Sequence, residues 1–261
     1  MIQVYRIMFK VFFFNCKCIC GSETKHSSNG TLPRSLWKLR NLQILCIGTN
    51  ANLSGSLDEI LSSNMTTLHT LYLAFNNLSG GIPGETLAKM KSLKIIQLCC
   101  QSRKGFYGEI PKDIGNLTQL QVLGFGGSRL KGSIPKSISK LKKLWFLDLK
   151  SATSLSGGFA NLVNLSSLQY MHLSMAGLNG TLPDEFGLYY PAMVECILSG
   201  NRFTGSIPAT LGNMTHLQYL NLARNSFSGK IPESIAGSVS SPHIIDLSGN
   251  NLSWFEDGIK F

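Results

Sequence analysis

The sequence predicts an α/β fold, a right-handed solenoid bent like a horseshoe, with one short strand per turn forming a parallel sheet on its concave face. Two observations carry this. Glycines recur at positions 30, 55, 80, 108, 132, 157, 180, 205 and 229, at spacings of 23 to 28 residues. Ahead of each glycine after the first stands the same pattern of leucines, closed by a turn asparagine in the regular copies. Self-similarity at such a period marks a stack of identical supersecondary units, none of which can bury its apolar face alone.

The unit is clearest in Leu217–Pro232. Leu217, Leu220 and Leu222 alternate inward from a strand, Asn225 turns the chain, and Phe227 fills the floor beyond it. Gly229, Lys230, Ile231 and Pro232 then begin the return. The same Gly-x-Ile/Leu-Pro run ends in Pro33, Pro111, Pro135, Pro183 and Pro208, and Pro83 follows a doubled glycine.

Taken in order, residues 1–28 do not repeat. Arg6 and Lys10 flank a short apolar run, which reads either as a weak signal peptide or as unrelated sequence; it is too short to span a bilayer. The solenoid is expected over residues 29–253. Its first unit uses Leu39, Leu42, Leu45 and Ile47, and its second Leu68, Leu71, Leu73, Asn76 and Leu78. In the next four units Gln101, Ser128, Ala152 and Ala176 occupy the turn position. An asparagine there serves backbone groups of its own turn and of the neighbouring coil, so its loss predicts a softer stretch unless Ser128 or water substitutes. Asn201, Asn225 and Asn250 restore the pattern. Residues 254–261 break it: Trp254 takes the glycine place and no polar cap follows, which reads as a truncated C-terminal end.

The net charge of +10 lies wholly within residues 89–150; the remainder is neutral. Lys136, Lys140, Lys142 and Lys143 crowd the segment after Pro135. They form either a solvated convex surface or a patch for an acidic polysaccharide; no nucleic-acid module accompanies them. Cys16, Cys18 and Cys20 cluster without a second ligand pair at zinc spacing, so neither metal nor cofactor is expected. Cys196 replaces a core leucine. With seven cysteines, at least one thiol stays unpaired in a fully oxidised monomer. His26, His69, His172, His216 and His243 are scattered, with no metal-binding helix motif and no nucleophile elbow, and no kinase motif occurs, so no enzyme is expected. Glycosylation sequons begin at Asn29, Asn52, Asn64, Asn77, Asn116, Asn164, Asn179, Asn213 and Asn251. Several belong to the repeat consensus, yet together they suit an extracellular or cell-surface chain.

Alternation places Thr70, Tyr72, Ala74 and Phe75 opposite the leucines, and later Phe146, Asp148 and Lys150, then Tyr170, His172 and Met175, then Tyr219, Asn221 and Arg224. Phe146, Tyr170 and Tyr219 share one repeat position in a column interrupted by Glu195. Exposed aromatics interleaved with polar groups are what a binding hot spot requires. Asp148 and His172 share the next inward position on adjacent strands, where a surface ion pair is expected rather than an acid–base couple.

The pattern Leu-x-x-Leu-x-Leu-x-x-Asn-x-Leu-Ser-Gly-x-Ile-Pro, met most fully in Leu68–Pro83 and Leu217–Pro232, resembles the plant-specific leucine-rich repeat. That class supplies the ectodomains of receptor-like kinases and receptor-like proteins, and the polygalacturonase-inhibiting proteins. The resemblance implies a non-catalytic module that binds a protein or peptide ligand, with a co-receptor as a further partner, on the concave or lateral surface. Alternatives are a secreted inhibitor or pectin-binding protein, and a truncated product without independent function. The family's paired-cysteine N-terminal cap, with Cys-x-Trp-x-Gly-Val, and its C-terminal cysteine cap, membrane helix and kinase have no counterpart in this sequence.

Overall fold

The computed structural model describes residues 30–49, 53–61, 65–101, 105–237 and 243–253. The N-terminal segment, the C-terminal end and the sequons at Asn29, Asn52 and Asn64 lie outside the described residues. The rest is a leucine-rich repeat solenoid. Nine strands, from Ile44–Cys46 to Ile244–Asp246, pair in parallel and in chain order to form the concave sheet. Each strand pairs residue for residue with the next, as in Tyr170↔Glu195 and Glu195↔Tyr219.

The leucines make one continuous core. Leu71, Ile96, Leu123, Leu147, Met171, Cys196 and Leu220 occupy the same position in successive coils, and all are fully enclosed. Burying one such side chain contributes roughly 1.5–3 kcal/mol, and stacking is what makes each burial complete. Beyond the turn, Phe203 stacks on Phe227 at 6.2 Å and meets Phe159 at 5.4 Å, while Phe159 packs edge-on against Phe186 at 5.0 Å.

Proline starts the return segments for a local reason. Its ring fixes φ, and its carbonyl accepts the first turn bond from the residue three ahead: Ile138 N to Pro135 O at 3.0 Å, Leu211 N to Pro208 O at 3.1 Å. Short helical turns follow, such as Lys136–Lys140 and Ala209–Asn213. Each coil then leans closely on the next. At Gly187 a Cβ would collide with the Thr210 carbonyl, so only glycine fits.

A second strand per coil builds two further parallel sheets, of six and four strands. The break falls between Ser154–Ser156 and Asn179–Thr181. There Gly157-Gly158-Phe159 replaces the usual Gly-x-Ile-Pro run, although the Asn179 amide still reaches Gly157 O at 3.1 Å.

The turn ladder takes the predicted form where asparagine is present. Asn225 Nδ2 donates to Leu198 O and to Leu222 O, both at 3.0 Å, and its Oδ1 accepts from Phe203 N at 3.1 Å. Asn201 and Asn250 make the equivalent bonds. The expectation for the middle repeats needs correction at one end. Gln101 does the asparagine's work, its Nε2 donating to Leu73 O at 2.8 Å and its Oε1 accepting from Leu78 N at 3.0 Å. One extra methylene lengthens the reach without changing the amide. Ser128 does not substitute: its Oγ is buried with no partner among the described residues. The ladder gap is therefore Ser128, Ala152 and Ala176.

Candidate functional site on the concave sheet

Strand register sorts the concave-facing side chains, those opposite the core leucines, into rows that run across the sheet. The first row holds Ile44, Thr70, Ile95, Val122, Phe146, Tyr170, Glu195, Tyr219 and Ile244. It is an apolar rail with one charge in it. The second row is polar in its later half except at Ile197: Asp148, His172, Ile197, Asn221 and Asp246.

The predicted column is partly realised. Tyr170 and Tyr219 are half-buried, with Glu195 in register between them. Phe146 was expected to face solvent, but it is 1% exposed. The reason is lateral: Trp145 and Tyr170 close over it at ring distances of 5.8 and 6.1 Å, and Val122 covers its other side. Edge-on and tilted aromatic pairs of this kind contribute about 0.5–1.5 kcal/mol each beyond their area. Phe146 thus supports Tyr170 rather than touching a ligand. Thr70 and Ala74, also expected outside, are buried as well, since flanking coils cover short side chains.

Asp148 and His172 likewise sit deeper than alternation implied, and they do not pair with each other as expected. His172 Nε2 lies 3.2 Å from Glu195 Oε2. Asp148 is capped by the Lys150 backbone amide at 3.0 Å, with Lys150 Nζ 3.7 Å from Oδ2. Burial pushes the Asp148 carboxyl above its ordinary value, and the Lys150 and His172 charges only partly offset this. Glu195, which looked like an interruption, is instead the partner that orients His172. Register sets Glu195 opposite Tyr170 and Ile197 opposite His172, so the contact is a diagonal one that the repeat position alone does not announce. At the far end Asn221 Nδ2 links Tyr219 Oη at 3.2 Å to Asp246 Oδ2 at 3.3 Å. Burial, then the Glu195 charge, raises the Tyr170 phenol, which therefore stays a neutral hydrogen-bonding group.

The turn after every concave strand has a feature that the leucine pattern did not announce. Its last inward position is left-handed in each coil: Thr49, Phe75, Cys100, Gly127, Ser151, Met175, Gly200, Arg224 and Gly249 all have φ between 51° and 73°. Glycine adopts this at no steric cost, whereas other residues pay about 1–2 kcal/mol. Phe75 and Met175 nevertheless stand there with large exposed side chains, 36% and 55%, and Arg224, two coils beyond Met175, is exposed as well. Because the conformation recurs in every coil, it belongs to the turn of the repeat, and it turns these side chains out toward solvent. Tyr72, in the coil of Phe75, and Lys150, in the coil before Met175, are half-buried.

The basic cluster lies elsewhere, on the return segment. Lys136, Lys140, Lys142 and Lys143 are all exposed; Lys142 Nζ donates to Asn164 O at 2.9 Å and Lys143 Nζ to Gln119 Oε1 at 2.6 Å. Among the sequons, Asn116, Asn164, Asn179, Asn213 and Asn251 are exposed and Asn77 is half-buried. Cys99, Cys100 and Cys196 are free thiols. Among the described residues no group of three His, Cys, Asp or Glu side chains could hold a metal, and no helix is long and apolar enough to cross a membrane.

Comparison with known proteins agrees with this architecture. A leucine-rich repeat region matches residues 61–180, and the leucine-rich repeat unit matches 193–214 and 216–238. The chain belongs to the leucine-rich repeat family, and the relatives it matches are plant receptor-like proteins. It is 33% identical to receptor-like protein 35 of Arabidopsis thaliana over 170 residues, covering 65% of this chain and 17% of the relative. Against receptor-like protein 34 of the same plant it is 34% identical over 210 residues, covering 64% and 21%. The chain thus spans about a fifth of the length of these relatives. Among solved structures, the PEPR1–AtPEP1 complex superposes with TM-score 0.74 at 32% identity, over 85% of this chain and 30% of that one. The Arabidopsis receptor kinase HAESA, solved with the peptide hormone IDA and the co-receptor SERK1, gives 0.67 at 29% identity, over 86% and 40%.

Proposed function

We propose that this chain is a non-catalytic, extracellular recognition module that binds a protein or peptide across its concave sheet. The observation that carries the reading is the pair Tyr170 and Tyr219, half-buried in one register row, beside Met175 and Arg224 held in strained left-handed turns. Strands about 4.8 Å apart put residues two coils distant roughly 10 Å from each other. That separation suits two side chains of one extended peptide, with Arg224 available to a carboxylate or sulfate. Asp148 and His172 act from beneath as fixed polar supports. The similarity to HAESA, solved with a peptide hormone and a co-receptor, favours a peptide occupant and a co-receptor beside it. The exposed sequons favour a glycosylated chain outside the cell.

The test is to pan the secreted, glycosylated chain against a displayed library of short linear peptides and measure the affinity of those selected. Tyr170→Ala and Tyr219→Ala are each expected to cost about 1–2 kcal/mol of binding, with melting temperature unchanged. Affinity that is unaltered, or that falls only as far as stability falls, would show the tyrosines to be ordinary strand residues.

A second reading rests on the exposed lysines after Pro135. There the chain would hold acidic wall polysaccharide on its return-segment side, whether or not a peptide occupies the concave sheet.

A further inference from the structure

The exposed lysines after Pro135 are bracketed by a second feature. In three consecutive coils the same three positions of the return segment hold Asn116-Leu117-Thr118, Lys140-Leu141-Lys142 and Asn164-Leu165-Ser166. Backbone geometry fixes the equivalence. The middle leucine is buried in each case, and its carbonyl accepts from the leucine three residues on. These bonds are Leu120 N to Leu117 O at 2.8 Å, Leu144 N to Leu141 O at 3.0 Å and Leu168 N to Leu165 O at 2.9 Å. With that leucine turned inward, the residues on either side of it are exposed in all three coils. A lysine triplet thus stands where the coils before and after it each carry a glycosylation sequon.

The three segments touch. Lys142 Nζ donates to Asn164 O at 2.9 Å, and Ser167 Oγ donates to Lys142 O at 2.7 Å. On the other side Lys143 Nζ donates to Gln119 Oε1 at 2.6 Å. At Gly115, beside Asn116, a Cβ would collide with the Ser137 carbonyl, so these coils lie as close as their backbones allow. The lysines are therefore one coil from each asparagine, within reach of a branched oligosaccharide. Local conformation explains part of the pattern, since Asn164 has φ 65°, a value asparagine tolerates better than most residues. It does not explain Asn116, which ends the short helical turn Lys112–Asn116, or the exposed Thr118 and Ser166 that complete the two sequons.

We propose that N-linked glycans at Asn116 and Asn164 screen Lys140, Lys142 and Lys143, so that glycan occupancy sets how strongly this surface holds a linear polyanion. The inference rests on the reading of those lysines as a polysaccharide site. The donor is a lipid pyrophosphate-linked oligosaccharide. A bond forms between the asparagine Nδ2 and C1 of the first sugar as the bond from C1 to the pyrophosphate oxygen breaks. The lipid pyrophosphate leaves, and the amide gives up one proton to water. A glycan without charged sugars adds bulk above the lysines but no opposing charge, so it obstructs contact more than it alters the field. A polyuronate must bring successive carboxylates down to several lysines at once, and glycans rising from both flanking coils obstruct that approach. A small anion meets one ammonium at a time and is obstructed less.

The experiment uses the whole chain secreted from plant cells, with peptide mass mapping to give the occupancy of each sequon. Retention on de-esterified pectin is compared for the parent, for Asn116→Gln combined with Asn164→Gln, and for Asn213→Gln. The last removes a sequon at the same repeat position but away from the lysines. Asn116 and Asn164 should be occupied in the parent. The double variant should elute at higher salt than the parent, and Asn213→Gln should elute with the parent. Thr118→Ala combined with Ser166→Ala should reproduce the double variant, because it removes both sequons and keeps both asparagines. Enzymatic deglycosylation of the folded parent gives the same comparison with no substitution, and far-UV circular dichroism checks the fold of every variant. Unoccupied Asn116 and Asn164 in the secreted parent, or equal retention of the occupied parent and its deglycosylated form, would overturn the proposal. Failure of the underlying reading is distinguishable. If replacing the lysines with Gln in the double variant left retention unchanged, the polysaccharide reading would fall and this proposal with it.

Discussion

At the scale of single residues, the polar groups that matter most are buried ones whose partners lie one coil away. Asn225 makes three bonds through its amide that join its own coil to the one before, whereas Lys230 is exposed and has no part in the ladder. Asn225→Ala leaves buried backbone groups unsatisfied and is expected to destabilise the solenoid by about 1–3 kcal/mol, against under about 0.5 for Lys230→Ala. Equal melting shifts for the two variants would contradict the ladder's role. Asp148 yields a prediction of opposite sign. Its folded pKa is raised, chiefly by burial, so the unfolded chain loses this proton first as pH rises. The stabilisation that protonated Asp148 provides is complete below the ordinary carboxylate value, and it disappears as pH climbs through the raised one. Asp148→Asn, which cannot ionise, should therefore gain in melting temperature relative to the parent between acid and neutral pH. A gap that is constant with pH, or that closes as pH rises, would count against the assignment.

At the scale of the element, each coil was legible in the sequence down to its return turn. Leu217, Leu220, Leu222 and Phe227 named the core, and Pro135 and Pro208 marked where the short helical turns begin, because those signals depend only on neighbouring residues. What escaped depends on the next coil. Phe146 lay on the predicted face, yet Trp145 and Tyr170 roof it over; no single repeat could reveal that. Glu195 looked like a gap, and its diagonal reach to His172 on the neighbouring strand is written in neither repeat alone. The left-handed turn position was hinted at by Gly127, Gly200 and Gly249, but Phe75 and Met175 concealed it. Gln101 passed for a lost asparagine, although its longer amide reaches the same carbonyls. The same logic shows where the ladder can be repaired. Ser128 buries an unpartnered hydroxyl at the turn position, where an asparagine would face Phe125 O and Leu98 O as its counterparts face theirs. Ser128→Asn is expected to raise stability by about 1 kcal/mol, read as a higher melting temperature. A fall would mean that the turn has closed too tightly to admit the amide.

At the scale of the whole molecule, the solenoid separates two surfaces that a globular fold would merge. The concave sheet presents aromatics and buried ion pairs, while the exposed lysines after Pro135 stand on the return segments. The entire net charge of +10 falls within residues 89–150, so the positive field is confined to the middle coils. Charges this close act together on a polyanion, whose own charges repeat along its length, whereas a small anion meets them one at a time. Lys142 and Lys143 are already tethered to Asn164 O and Gln119, which fixes their stems and reduces the ordering cost of a contact. Replacing Lys136, Lys140, Lys142 and Lys143 with Gln is therefore expected to bring elution from a de-esterified pectin column to lower salt. It should also flatten the dependence of retention on ionic strength, because attraction between exposed charges is screened within about 10 Å at 0.1 M salt. The Tyr170→Ala variant provides the control for separation of the two faces and should elute with the parent. Unchanged elution of the lysine variant would leave those side chains as a solvated surface, and the concave sheet would then stand alone as the recognition face.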